Sequence, residues 1–175
     1  MVHHIVYHAD VDGIFSAALY LKYKINKPTG YRLYPVMSYF RGEKFNDLIT
    51  SLHIQSEDEL AIFDFENHGE STFWVDHHPN KDLGHKPIMN DEAVYDPAAY
   101  SAFQLVFNYL KKSITFINEG YCSEIVKDIN MIDAALYQDV NFVFTDTRPT
   151  MIIRAYLEKT LPNDMVFNRI VEILA

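Results

Sequence analysis

Short runs of β-branched and aromatic residues alternate with stretches of helical spacing through the first 110 residues of the chain. HHIVY at His3–Tyr7 predicts a first strand, followed by a helix from Gly13 to about Lys24 with Ile14, Ala17, Ala18 and Leu21 on one face. YRLYPVMSY at Tyr31–Tyr39 predicts a second strand, and Pro35 within it marks an edge or an irregularity. A short helix is expected over Phe45–Leu52. ELAIFDF at Glu59–Phe65 and TFWV at Thr72–Val75 are nearly continuous apolar runs, as strands buried on both faces of a parallel sheet require. Ala93–Tyr95 is a further short strand. Lys81–Asp91, polar with Gly84 and Pro87, reads as a loop.

From Ala99 onward the period becomes helical. Ala102, Leu105, Val106, Tyr109 and Leu110 share a face, as do Ile125, Ile129, Ile132 and Leu136; two more helices are expected at Pro149–Lys159 and Met165–Ala175. The expected fold is α/β, a mainly parallel sheet flanked by helices with a helical C-terminal region. Residues 1–140 are read as the chemical domain and 141–175 as its helical extension.

Composition narrows the function. With 49% hydrophobic and 22% charged residues the chain is no disordered polymer, and no apolar run reaches the ~18 residues of a bilayer span. MVHHIVYHADVDG lacks the basic start and apolar stretch of a signal peptide. The single cysteine, Cys122, has no internal partner, which points to a reducing cytoplasm. A net charge of −9 repels polyanions at long range, arguing against a general nucleic-acid coat. A phosphate substrate would need a local reversal of field, which divalent cations among clustered carboxylates supply.

Four places carry candidate chemistry. His8, Asp10 and Asp12 alternate in HADVDG, directly after a strand and at the opening of a helix, so their side chains can converge. One imidazole and two carboxylates suit a divalent ion of the Mn²⁺ type, and Gly13 permits close backbone approach. Asp12 as a helix cap is the plainer reading. Asp64 ends the apolar run LAIF, where open α/β sheets bind ligands; a strand-exit turn is its plainer reading. Asp76, His77 and His78 end FWV: one histidine can ligate while the other handles substrate or a proton, and Asp76 can hold an imidazole tautomer. Asp133 is the one charge in INMIDAA, either a buried ligand or a solvent-facing residue. Arg41, Lys81 and His85 are candidate substrate contacts; Lys44, Arg32, Lys86, Arg148, Arg154 and a substitute ligand at His68 carry weaker signals.

HxDxDG after the first strand, an aspartate at a later strand end, DHH at the next and a further aspartate resemble the DHH phosphoesterase superfamily. That group includes RecJ-type exonucleases, nanoRNases, cyclic dinucleotide phosphodiesterases, exopolyphosphatases and family II pyrophosphatases. The resemblance spans roughly residues 3–140, with HADVDG and VDHHP its most specific parts. It implies that His8 and Asp10 bind one ion, that Asp12, His77 and Asp133 bind a second, and that Asp64 bridges them. His78 would face the scissile phosphate or the leaving group, with Asp76 behind it. The implied cofactor is a pair of divalent ions, Mn²⁺ with Mg²⁺ or Co²⁺ as substitutes. Two such ions ~3.5–4 Å apart activate water and neutralise phosphoryl charge.

Two features depart from that pattern. Trp74 follows Asp64 by ten positions, short for a parallel crossover of about a dozen or more residues. A compressed parallel crossover is expected rather than a hairpin, which would send Asp64 and Asp76 to different ends. The Gly-rich, His-containing second domain that catalytic members usually carry has no matching glycine cluster after residue 140. The chain is therefore expected to be a minimal form, a fragment of a longer protein, or one that relies on an oligomer or a partner to supply it. The expected activity is hydrolysis of phosphodiester bonds in short single-stranded oligonucleotides or (cyclic) dinucleotides by a two-metal-activated water. Phosphoanhydride hydrolysis and a non-catalytic nucleotide-binding or scaffold role are the alternatives.

Overall fold

The computed structural model describes residues 1–25, 30–79, 92–159 and 163–175. Its centre is a five-stranded, wholly parallel sheet in the order β2-β1-β3-β4-β5. The strands are β1 (His3–His8), β2 (Tyr31–Val36), β3 (Glu59–Phe63), β4 (Phe73–Asp76) and β5 (Ala93–Tyr95). Pro35 lies in β2, an edge strand, where a missing N–H is tolerated.

Alternation along the three inner strands builds two cores. Ile5 and Tyr7 of β1, Ala61 and Phe63 of β3, and Phe73 and Val75 of β4 face one side. They pack with helices α1 (Val11–Tyr20), α3 (Ala102–Leu110), α4 (Glu119–Asp133), α6 (Pro149–Lys159) and α7 (Asp164–Leu174). Val6, Leu60, Ile62 and Trp74 face the other side, against Phe45 and Ile49 of α2 (Glu43–Ser51). Truncating a fully buried ring such as Phe45 to alanine costs about 3–5 kcal/mol. Leu157, Phe167 and Val171 join the larger core, so the last two helices close the same body that the sheet begins.

α1 is buried along its whole length, and its final turn widens into a π-helical turn over Leu21–Ile25. The segment after β3 is the compressed crossover the spacing implied. No helix forms there. Thr72 N–H donates to the Leu60 carbonyl, and the Trp74 indole N–H donates to the Phe65 carbonyl at 2.8 Å, pinning the loop to the sheet. A short helix, α5 (Val140–Thr145), has no buried residue and no periodic signal in the sequence. Among the described residues no helix is long and apolar enough to cross a membrane.

Candidate metal centre

Parallel register brings three strand ends to one edge. Tyr7 pairs with Phe63 and Phe63 with Val75, so His8, Asp64 and Asp76 follow side by side. The chain order reverses between β1 and β3, and such switch points are where open α/β sheets bind ligands. Asp64 has a left-handed backbone (φ 56°), which aspartate tolerates better than most residues, while its N–H still donates to the Val75 carbonyl.

The side chains converge on Asp64. His8 Nδ1 stands 2.6 Å from Asp10 Oδ2 and 3.4 Å from Asp64 Oδ2. His77 Nε2 lies 3.4 Å from Asp64 Oδ1, 3.6 Å from Asp12 Oδ2 and 3.2 Å from Asp133 Oδ2. His78 Nδ1 is 3.6 Å from Asp64 Oδ1 and 2.8 Å from Asp76 Oδ1. Three groups therefore have donor atoms close enough to hold an ion: His8–Asp10–Asp64, Asp12–His77–Asp133 and Asp64–His77–His78.

Unmet polar atoms test whether cations fit. Among the described residues, both Asp64 oxygens, His8 Nδ1, His77 Nε2 and Asp76 Oδ2 are buried without a hydrogen-bond partner, and Asp64 is only 1% exposed. His8 Nδ1 comes within 2.6 Å of Asp10 yet lacks hydrogen-bond geometry. Such atoms are costly when left bare, and carboxylate oxygens with imidazole nitrogens are the donors that Mn²⁺-like ions take. The residues fit the group.

Neighbouring contacts orient the donors. The His77 Nδ1 edge meets the Ala99 carbonyl at 3.2 Å, so Nε2 is the nitrogen turned to the carboxylates and would be the one offered to a cation. Asp76 Oδ1 accepts the backbone N–H groups of His77 and His78 and meets His78 Nδ1 at 2.8 Å, which holds that edge of the imidazole in place. Asp10 caps α1 through the Gly13 N–H at 2.9 Å. Asp12 does not cap its own helix. Its two oxygens accept the N–H groups of Ala102 and Phe103 at the start of α3.

Electrostatics follow from crowding. Burial pulls the His8 imidazole down, but Asp10 and Asp64 outweigh it and push it up to about 11. His77 rises to about 10 in the same way, through Asp64, Asp12 and Asp133. Burial drives Asp12 well above the usual carboxylate range, with repulsion from Asp64 and Asp133 adding to it. Burial and Asp64 lift Asp133 to about 7. Asp64 itself is held low, because its histidine contacts overcome its burial. The Asp76 hydrogen bond raises His78, while burial raises Asp76.

Beside the cluster opens a cleft of about 540 Å³, lined by Asp10, Asp12 and Asp133 together with Met37, Tyr137, Arg154, Leu157 and Glu158 among others. Arg41 stacks over Phe65, whose ring neighbours His8, so it lies close to the first ligand group. Lys81 and His85 lie outside the described residues, as do Lys86 and the Lys81–Asp91 loop. His68 accepts the Glu70 N–H and belongs to none of the ligand groups, and Arg148 is taken by Asp128 and Asp146. Sequence reasoning did not find the Ala99 carbonyl, Ser38 against His8 Nε2, or Tyr137. A backbone carbonyl has no residue signature, and an isolated Ser or Tyr in this composition carries no pattern.

No family model matches the sequence, and no curated protein matches it. The fold is similar to the crystal structure of an uncharacterized protein from Helicobacter pylori G27, with a TM-score of 0.64 and 15% identity over 99% of this chain. The chain spans 55% of that protein's length. At this identity the likeness establishes the α/β fold alone, and the candidate metal site rests on the histidines and aspartates that this chain itself gathers.

Proposed function

We propose that the chain is a divalent-metal-dependent hydrolase of phosphodiester bonds in short oligonucleotides or (cyclic) dinucleotides. One observation carries the reading: among the described residues the buried Asp64 carboxylate stands without hydrogen bonds between imidazoles on either side, as a ligand shared by two cations would. The motif resemblance to the DHH phosphoesterases supports it. His8 and Asp10 would hold one ion, Asp12, His77 and Asp133 the other, and Asp64 would bridge them. When bound, the ions supply Lewis acidity and an activated water at neutral pH.

The chain's own groups would do the rest. Asp76 fixes the His78 ring through Nδ1, leaving Nε2 to hydrogen-bond or protonate the leaving oxygen. Met37, Leu157 and Tyr137 give the cleft apolar surface that pyrophosphate cannot use, which favours an organic ester over a phosphoanhydride.

Manganese stoichiometry and turnover should be measured together, on a dinucleotide and on pyrophosphate. Two ions per chain with faster dinucleotide cleavage are expected, and Asp64→Ala should abolish turnover and weaken both ions. Preference for pyrophosphate would move the activity to phosphoanhydrides. Bound metal without turnover on either compound would favour a binding role.

A further inference from the structure

The acids of this acidic chain are unevenly spread. None of its 24 Asp and Glu residues falls between Gly13 and Gly42 or between Pro97 and Asn118. The fold brings these two acid-free stretches together at the sheet edge away from the metal cluster. Asp10 and Asp12 open α1 at the cluster, and Tyr20 ends it stacked on Phe73, the first residue of β4. There the end of α1 meets the end of α3: Lys24 Nζ stands 5.8 Å from the centre of the Tyr109 ring. Tyr23 packs against Phe116 with ring centres 6.0 Å apart, and Tyr23 and Tyr121 line one small cavity at the start of α4.

Among the described residues the lysine that makes an ion pair is Lys127, with Glu124; Lys24, Lys111 and Lys112 are exposed and make none. Glu92 and Glu119, on the adjoining segments, do not pair with them either. Lys111 instead lies over the Phe107 ring at 5.1 Å, and Lys22 donates to the Ala175 carbonyl. Phe116 and Tyr121 stand among these cations 67% and 66% exposed. The turn that presents Tyr23 and Lys24 is the π-helical one over Leu21–Ile25, a rare distortion that recurs at functional sites.

A group of unpaired ammonium ions calls for a ligand with several negative charges, and exposed rings beside them call for flat apolar faces on the same ligand. A single nucleic-acid strand has both, phosphates along its backbone and bases free to stack, whereas a duplex hides its base faces. A bilayer would set its negative charge against the rest of a chain of net charge −9. A strand touches only the patch, and repulsion from charges more than about 8 Å away is screened.

We propose that this surface, where α1 and α3 end, is a docking site for single-stranded nucleic acid. Lys24, Lys111 and Lys112 meet its phosphates, and Phe116 and Tyr121 stack on its bases. The proposal goes beyond the hydrolase reading and does not depend on it, because the cluster and its cleft lie at the other ends of the strands.

The test follows the fluorescence anisotropy of a labelled phosphorothioate oligothymidylate of about twelve nucleotides, which keeps its charge and resists cleavage, with the full chain in Mn²⁺. Plotted against log salt, log affinity should fall with a slope of about −2, near −0.7 for each lysine engaged. Lys24→Gln should make that slope shallower by about 0.7, and Lys111→Gln with Lys112→Gln by about 1.4. Phe116→Ala, at an exposed position, should weaken binding about tenfold and leave the slope unchanged. No binding by the wild type overturns the proposal. So does a slope or an affinity that these variants leave untouched while their circular dichroism matches the wild type. An oligoglutamate of equal charge that binds as tightly overturns the stacking role and with it the assignment to nucleic acid. Sedimentation with phosphatidylserine vesicles in place of strand binding overturns it in favour of a membrane contact.

Discussion

Asp12 Oδ1 accepts the backbone N–H of Phe103 at 2.7 Å across 91 positions of sequence, and its Oδ2 takes the N–H of Ala102 at 2.6 Å. A side chain proposed to bind a cation thus also fastens the N-terminus of α3 to α1. Negative charge there also complements the helix dipole.

Asp12→Ala should therefore destabilise even the metal-free protein. Each charge-assisted bond is worth about 1.5–3 kcal/mol, and relief of repulsion from Asp64 and Asp133 returns part of it, leaving a loss of about 2 kcal/mol. Urea unfolding in the presence of chelator measures it. An unchanged midpoint would show that the α3 anchor carries no weight.

Gly13→Ala should be worse tolerated than a routine helix substitution. A Cβ there would lie 2.2 Å from the His8 carbonyl oxygen and 2.8 Å from its nitrogen, and both are backbone. The shift would push His8 out of line, with a cost of roughly 1–3 kcal/mol or more and weakened manganese binding. Full metal affinity in this variant would contradict the tight approach.

Metal affinity should rise with pH. Without metal, His8 at about 11 and His77 at about 10 carry protons at neutral pH, and a ligand nitrogen must lose its proton. Affinity should climb about tenfold per pH unit for each proton displaced between about pH 6 and 8. Calorimetry in buffers of different ionisation enthalpy counts the protons. The sign for the metal-free fold is opposite. These imidazoles sit above their ordinary 6.5, so their stabilisation is complete below that value and fades as pH climbs through 10 to 11. Mild acid should strip the ions while leaving these contributions to the fold intact; pH-independent manganese affinity would refute the assignment.

His78→Asn should separate binding from chemistry. Proton transfer or hydrogen bonding to a leaving group is worth about 10²–10⁴-fold, so turnover should fall on that scale while manganese stoichiometry holds. Substrates with an activated leaving group, such as a nitrophenyl ester, should lose much less. Equal losses on both would assign His78 to metal binding.

Ala135→Gly should stabilise the chain. Alanine holds a left-handed position at the end of α4, a conformation that costs an L-residue roughly 1–2 kcal/mol and glycine almost nothing. Part of the gain is offset by the freer unfolded chain, leaving up to about 1 kcal/mol, readable as a raised melting temperature.

Much of the fold is legible because burial writes itself into residue choice. LAIF and FWV are apolar at consecutive positions since both faces of β3 and β4 are covered, and the parallel arrangement follows from that. The gathering of His8, Asp10, Asp12, Asp64, His77 and Asp133 follows from their places at or just beyond element ends. Asp12 shows where residue patterns stop: helix-cap spacing and ligand spacing look alike, and its partners on α3 are backbone groups with no side-chain signature. α4 begins at Glu119, earlier than its apolar period suggests, because its start is held by the Asn118 cap and by the single buried Cys122, which make no repeating apolar pattern. α5 escapes notice because VNFVFT reads as strand-like while burying nothing.

The compressed link between β3 and β4 leaves little slack between Asp64 and the DHH triplet. A frameshift of one residue in strand pairing would turn alternate side chains to the opposite face and displace them by about 3.3 Å. Fidelity of strand pairing and assembly of the candidate metal site are therefore one property in this chain, and a misthreaded sheet would lose the site however compact it became.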